Sequence, residues 1–197
     1  MHAHKREIQP ESNYNLMRAD LDESLKRSHI DPSTLSTFQR ILLTTDGTVT
    51  EMLEAYFLEN INVVKLAEGL VSTVKEIPIL KLPRGTEVIE RKILLQGKIS
   101  RKNHLYAESI IVPDRLEERF QDALLNSKIG IGKLWLQYKV ETFKEIVDTG
   151  KEPAGKLAEY FPIEKEDKML SRTYRVFIKS EPVMMITEKF PESYFRS

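Results

Sequence analysis

The order of predicted secondary structure indicates an α+β domain. Two amphipathic helices and a capped helical turn come first, and segments rich in Val, Ile, Leu and aromatic residues follow in hairpin order. The chain carries no internal repeat and no low-complexity linker, and its 197 residues fit one domain that spans residues 1–197. We therefore expect a single antiparallel sheet with helices packed on one face.

The first helices are predicted within residues 14–41, after a polar start at residues 1–13 that we expect to be disordered. Apolar residues at helical spacing predict one helix over residues 16–26. A second helix is predicted to follow Asp31, whose side chain suits an N-cap and precedes a proline. Both helices are expected to serve packing.

A third helix is predicted after the turn at Asp46 and Gly47. Thr48, followed three residues later by Glu51, matches a capping box, which places the helix start at Thr48 and lets the helix run to about Leu58. The backbone N–H groups of a first helical turn can bind an anion. Capping boxes are common, however, and the alternative is an ordinary helix start without a ligand.

Six segments rich in β-branched and apolar residues are predicted as strands, and the last two form a hairpin that turns at Ser180 and Glu181. The strands span residues 61–76, 86–99, 105–112, 139–147, 169–179 and 182–190. Two helices are predicted between them, at residues 114–126 and 152–160. Residues 127–132 are predicted to form a flexible, glycine-bearing connection that matches no phosphate-binding loop.

Two of these strands carry a charge where a half-buried strand should carry an apolar residue. Arg91 and Glu188 each share a predicted strand face with apolar residues two positions away on either side. A buried ion without a partner costs several kcal/mol. Three interpretations follow: a structural salt bridge, strands that are only partly covered, or an anion pocket in which Arg91 binds a carboxylate and Glu188 acts at the far end.

The composition excludes several kinds of site. The chain has no cysteine, and therefore no disulfide, thiolate nucleophile or cysteine-based metal site. The four histidines, at positions 2, 4, 29 and 104, do not form a spaced ligand set, so we predict no metal. Thirty basic residues balance thirty acidic ones, which predicts no nucleic-acid or membrane partner. Because no signal peptide or membrane span is evident, we expect a cytoplasmic protein, and no oligomeric state is predicted.

Seven ordered blocks between residues 42 and 195 resemble the chorismate lyase (chorismate pyruvate-lyase) family, in particular its divergent branch of small bacterial and archaeal proteins. The blocks begin and end at Asp46 and Thr50, Arg91 and Gly97, Tyr106 and Ile111, Gly130 and Gly132, Val140 and Glu145, Arg172 and Val176, and Thr187 and Phe190. No single block is specific. Their order and spacing carry the resemblance.

The resemblance implies a fold and an activity. Members of the family convert chorismate to 4-hydroxybenzoate and pyruvate without a cofactor, on a six-stranded antiparallel sheet flanked by helices, with the product held in a closed internal cavity under two flaps. By resemblance, Arg91 would bind the ring carboxylate of the substrate. Glu188 would meet the opposite end of the ring as base, acid or positioning group.

The resemblance also implies assisting groups. Backbone N–H groups at Val49 and Ile131 match the two positions that support the arginine in the family. Arg172 and Arg175 match a shared arginine-rich block, and they could contact the enolpyruvyl carboxylate of the substrate or serve as cross-strand or surface cations. An arginine suits a carboxylate because its planar fork makes paired, charge-assisted hydrogen bonds.

The sequence also departs from the family pattern. The third strand ends in Glu108-Ser-Ile-Ile-Val-Pro113 where the family usually has Arg-x-x-Ile-Pro, and the first 40 residues match nothing in it. The same architecture serves as the effector-sensing domain of some transcription regulators, so the alternative function is non-catalytic binding of a small aromatic carboxylate. The N-terminal segment is too short and too neutral for a winged helix, which disfavours a DNA-binding regulator. A structural protein with a buried salt bridge is the third possibility.

Overall fold

The structure, a computed structural model, describes residues 19–126 and 130–196, which are built around one six-stranded antiparallel sheet. The strands are β1 Ile61–Ser72, β2 Glu87–Gly97, β3 Asn103–Ile111, β4 Phe143–Pro153, β5 Lys168–Ile178 and β6 Glu181–Pro191. Their order across the sheet is β1-β2-β3-β6-β5-β4. The predicted α+β fold with an antiparallel sheet is confirmed, while the polar start at residues 1–13 lies outside the described residues.

Five α-helices in the described part of the chain pack on one side of this sheet. They are α1 Ala19–Arg27, α2 Thr37–Thr44, α3 Val49–Phe57, α4 Glu118–Asn126 and α5 Ile131–Tyr138. Each contributes buried apolar residues to one large core that also contains residues from β2 to β6. We call the side of the sheet that this core covers the inner face. None of the helices described is long and apolar enough to cross a membrane.

Helix α2 begins later than the sequence predicts. Asp31 accepts a hydrogen bond from the backbone N–H of Ser33, but it caps only the short 3-10 helix Pro32–Thr34. Ser36 and Gln39 form a complete capping box, in which each side chain accepts a hydrogen bond from the backbone N–H of the other. The prediction that Asp31 starts this helix is therefore wrong, because Ser36 satisfies the free N–H groups at the true start.

Two further boundaries differ from the prediction. Helix α5 covers the last two residues of the predicted connection and residues 133–138, for which no element was predicted, and it forms because Leu134 and Trp135 are buried against the core. Strand β4 consequently starts at Phe143, four residues later than predicted. The helix predicted at residues 152–160 is only a 3-10 helix, Gly155–Tyr160, since residues 152 and 153 still belong to β4. Residues 127–129 of the predicted connection lie outside the described part of the chain.

The strand order decides which inner-face residues are neighbours. Strand β3 lies between β2 and β6. Arg91 of β2 therefore pairs with Ser109 of β3, and Glu188 of β6 pairs with Ala107 of the same strand. Arg91 and Glu188 therefore lie two strands and two residues apart, or about 10 Å across the sheet and about 7 Å along it. The small side chains of Ala107 and Ser109 lie between them and leave room above the sheet.

Candidate active site

A cavity lies between the inner face of the sheet and the first turns of α3 and α5. It is partly open to solvent. Arg91, Glu188 and the small residues of β3 line it from the sheet, together with apolar side chains such as Ile93 and Ile186. The cavity is thus apolar along its floor and carries opposite charges at separate points, as a site for an amphipathic anion requires.

Arg91 is buried but not satisfied. Its side chain is about 1% exposed, and its Nε lies 3.3 Å from Oε2 of Glu68. This ion pair lacks hydrogen-bond geometry, and none of the three guanidinium nitrogens has a hydrogen-bond partner among the described residues. Burial lowers the pKa of Arg91, although the Glu68 carboxylate opposes the change, and an arginine stays charged in proteins. A buried cation with unused donors is suited to a carboxylate ligand.

Glu188 is held by two neighbours on β5. Arg172 donates from Nε to Oε2 of Glu188 over 2.7 Å, and the hydroxyl of Tyr174 donates to Oε1 over 3.1 Å. Burial and the nearby carboxylate raise the pKa of Tyr174 well above its usual value, which keeps this hydroxyl a donor. The interpretation in which Glu188 is the salt-bridge partner of Arg91 is therefore wrong: each residue has a different partner.

The starts of α3 and α5 lie side by side at the cavity. Val49 and Ile131 are the first residues of these helices, and both line the cavity. A Cβ atom added at Gly132 would clash with Cγ2 of Thr48, so the two helix starts are in direct contact. Neither start has a side-chain cap: Thr48 is the N-cap residue of α3, as predicted, but the capping hydrogen bond expected of it is absent. The first backbone N–H groups of both helices are thus suited to an anion.

The two arginines of the arginine-rich block lie on opposite faces of the sheet. Residues 172 and 175 are three positions apart on β5, so their side chains lie on opposite faces of the sheet. Arg175 donates to Oε2 of Glu145 and to the carbonyl of Ile79 on the outer face. Of the two alternatives for Arg175, the cross-strand cation agrees with these contacts and the substrate contact does not. Arg172 lies on the inner face, 1% exposed, where it holds Glu188 and donates from Nη1 to the carbonyl of Thr45.

Two further residues line the cavity that were not predicted from the sequence. Lys144 of β4 is 8% exposed, and its Nζ donates to the carbonyls of Asp46 and Gly47 in the turn before α3. Burial lowers the pKa of Lys144, while the Glu188 carboxylate opposes this change. Trp135 of α5 lies above Lys144, with the ring centroid 5.2 Å from Nζ.

Lys144 could have been found from the sequence. It shares a strand face with Ile146, which is the same anomaly that identified Arg91 and Glu188. Trp135 offered no such signal, because its helix was not predicted. In residues 19–126 and 130–196, no group of three or more His, Asp or Glu side chains is placed to hold a metal ion.

Solved structures of other proteins share this fold. The effector domain of PhnF from Mycobacterium smegmatis matches with a TM-score of 0.57 at 12% identity, over 74% of this chain and 88% of the domain. A GntR-family transcriptional regulator from Bacillus cereus matches with a TM-score of 0.54 at 9% identity, over 70% of this chain and 95% of that chain. At such identities the similarity concerns the fold alone.

The sequence comparison is more specific. Residues 43–196 match the sequence model of the Rv2949c-like chorismate pyruvate-lyase family, and the chain belongs to this family. The chorismate pyruvate-lyase of Mycobacterium leprae is 31% identical over 159 residues, which cover 80% of this chain and 75% of the relative. The chorismate pyruvate-lyase of Mycobacterium tuberculosis H37Rv is 31% identical over 170 residues, covering 80% and 81%.

Proposed function

We propose that this protein is a chorismate lyase, which eliminates pyruvate from chorismate to give 4-hydroxybenzoate without a cofactor. The observation that carries the proposal is the guanidinium of Arg91, which is buried in the cavity with no hydrogen-bond partner among the described residues. A cation in this state suits a ligand carboxylate. Family membership then suggests which carboxylate it is, because the relatives named above are chorismate pyruvate-lyases.

The elimination balances without an oxidant or water. A proton leaves the ring carbon that carries the hydroxyl, the C–O bond on the neighbouring carbon breaks, and the electron pair completes the aromatic ring. The ether fragment departs as the enolate of pyruvate, which takes up one proton to become pyruvate, so the proton lost from the ring is balanced. Because aromatisation drives the reaction, the protein needs mainly to orient the substrate and control its charge. In this proposal Arg91 and the helix starts at Val49 and Ile131 hold the ring carboxylate.

Glu188 would act at the other end of the ring. Its position, two strands from Arg91 and on the same face, would bring it near the hydroxyl when the ring lies over the small residues of β3. Arg172 and Tyr174 fix the carboxylate in one orientation, as a positioned acid or base requires. Its role would be either to relay the proton or to position the hydroxyl.

A non-catalytic function as a binder of small aromatic carboxylates is the second candidate. It is favoured by one observation: both oxygens of Glu188 already accept hydrogen bonds from protein groups, which suits a structural carboxylate as well as a catalytic one. The Arg91 end of the cavity would bind an aromatic carboxylate equally well in either case. Turnover therefore separates the two functions, whereas binding alone does not.

The test is incubation with chorismate in the presence of a chelator, followed by chromatography for both products. We expect equimolar 4-hydroxybenzoate and pyruvate from the wild type, and a strong loss of both from Arg91→Lys, which keeps the charge but not the paired geometry. Arg175→Lys is the matched control, because Arg175 lies on the outer face, and it should retain turnover. Binding of 4-hydroxybenzoate without turnover of chorismate would overturn the lyase proposal in favour of the binder.

A further inference from the structure

The buried charges of the inner face do not balance. Four Asp, Glu, Lys or Arg side chains are buried in the described part of the chain: Arg91, Lys144, Arg172 and Glu188. Three of these four side chains are cations. Glu68, which lies 3.3 Å from Nε of Arg91 and also pairs with Lys65, offsets part of this charge. The net positive charge that remains in a low-dielectric space suits an anionic ligand.

The two cations that line the cavity stand on opposite sides of it. Arg91 lies on β2 and Lys144 on β4, and the strand order places these strands four positions apart, or about 19 Å between strand axes. Glu188 lies on β6, midway between them. Asp46, a further acidic residue near Lys144, is exposed, so solvent screens its charge. Arg91 and Lys144 therefore reach the cavity from strands on either side of Glu188.

Trp135 supplies an independent observation at the Lys144 end. The residue lines the cavity and is 7% exposed, yet its indole Nε1 is buried with no hydrogen-bond partner among the described residues. Buried tryptophan N–H groups usually find a partner. The face of the ring lies toward Nζ of Lys144, and the N–H at the edge of the ring has no acceptor among the described residues.

We infer that Lys144 and Trp135 form a second anion subsite, which binds the carboxylate of the enolpyruvyl group that leaves as pyruvate. The inference rests on the proposed function for the identity of that carboxylate. Lys144 supplies the charge and Trp135 the directed N–H donor. With Arg91 at the ring carboxylate, the cavity recognises a dianion at both ends. This subsite replaces the expectation that Arg172 or Arg175 contacts that group.

Lys144 also has a structural role that must be separated from ligand binding. By donating to the carbonyls of Asp46 and Gly47, it holds the turn that leads into α3. If this were its only role, replacing it would weaken the binding of every ligand that uses the start of α3, whatever its charge. A subsite for a second carboxylate instead makes the loss specific for dianions.

The experiment compares two inert probes by calorimetry. The dianion 3-(carboxymethoxy)benzoate carries a ring carboxylate and an ether-linked carboxylate at the spacing found in chorismate, and 3-methoxybenzoate is its monoanionic match. We expect the wild type to prefer the dianion by about tenfold, which corresponds to roughly 1.4 kcal/mol. Lys144→Met should abolish the preference, Lys144→Arg should preserve most of it, and Trp135→Phe should reduce it several-fold. Lys133→Met, which removes a half-exposed charge near the start of α5, is the matched control and should keep it.

Several results would overturn the inference. One is a wild type without preference for the dianion, and another is a preference that survives both Lys144→Met and Trp135→Phe. Equal losses for both probes in Lys144→Met would leave only the role in holding the turn. If Lys144→Met does not fold, as judged by circular dichroism, the Trp135→Phe result decides. Failure of the proposed function is distinguishable, because the wild type would then show the preference but would not turn over chorismate.

Discussion

Replacing Arg91 by Met should stabilise the ligand-free protein while impairing its site. Met keeps an unbranched apolar side chain in the same space but removes three guanidinium nitrogens that have no hydrogen-bond partner among the described residues. The ion pair that is lost is weak, because Nε of Arg91 and Oε2 of Glu68 are 3.3 Å apart and do not form a hydrogen bond. Glu68 keeps its second partner, Lys65, and its side chain is 17% exposed, so it is not left as an isolated buried charge.

The magnitude follows from these contacts. An unsatisfied buried polar group costs about 1 to 3 kcal/mol, and more when charged. Against this stands the loss of one weak ion pair, so we expect a net gain of about 1 to 2 kcal/mol in the free energy of unfolding. For a domain of this size this gain raises the unfolding midpoint by about 2 to 8 °C. Loss of the charged hydrogen bonds to a ligand carboxylate should weaken 4-hydroxybenzoate binding by about 1.5 to 3 kcal/mol.

Thermal unfolding without ligand and calorimetry with 4-hydroxybenzoate measure the two effects. Arg175→Met is the control: this arginine donates two hydrogen bonds on the outer face, so its loss should destabilise the protein and leave binding intact. The reasoning is refuted if Arg91→Met lowers the ligand-free stability by more than about 2 kcal/mol, the result expected when a buried salt bridge is broken. Unchanged affinity for 4-hydroxybenzoate would refute it equally.

Three further variants probe the surroundings of the site. Glu188→Gln should reduce turnover by roughly 100-fold or more if the carboxylate relays the proton. It should also destabilise the protein by roughly 3 kcal/mol, because Arg172 loses its charged partner. A near-normal kcat would show that Glu188 does not take part in the chemistry. Gly132→Ala should weaken 4-hydroxybenzoate binding because the new Cβ meets Cγ2 of Thr48, and Thr48→Ser, which lacks that methyl group, should restore it. In the wild type the free energy of unfolding should fall as the pH rises above about 10, the usual pKa of tyrosine, and in Tyr174→Phe it should fall less. Burial and the Glu188 carboxylate raise the pKa of Tyr174 in the folded protein. The contribution of Tyr174 to the free energy of unfolding is therefore present below about pH 10 and is lost as the pH rises. The same pH dependence of unfolding in wild type and variant from about pH 8 to 11 would contradict this prediction.

The alternation of strand residues was sufficient to locate the centre of the candidate site. A period of two places every second side chain on one face, so Arg91 and Glu188 were identified from their own strands without knowledge of the rest of the fold. The same parity separates Arg172 from Arg175, and applying it would have excluded Arg175 from the cavity at once. Lys144 carries the same signal beside Ile146.

The partners of these residues could not be predicted in this way. Glu188 meets Arg172 because β6 lies between β3 and β5, and this order depends on long-range pairing that local periodicity does not encode. Helix α5 was missed for a different reason: it has only eight residues and starts beside two glycines, so tertiary packing of Leu134 and Trp135 overrides weak helix propensity.

A single-turnover experiment tests the central claim most directly, because an excess of protein over chorismate keeps slow product release from a partly enclosed cavity from hiding the chemistry. We expect the wild type to convert all the chorismate to equal amounts of 4-hydroxybenzoate and pyruvate in one exponential phase. The Arg91→Met variant, which should be folded and at least as stable, should convert chorismate no faster than a buffer blank. Conversion by Arg91→Met at the wild-type rate, or no conversion by a wild type that binds 4-hydroxybenzoate, would contradict the account.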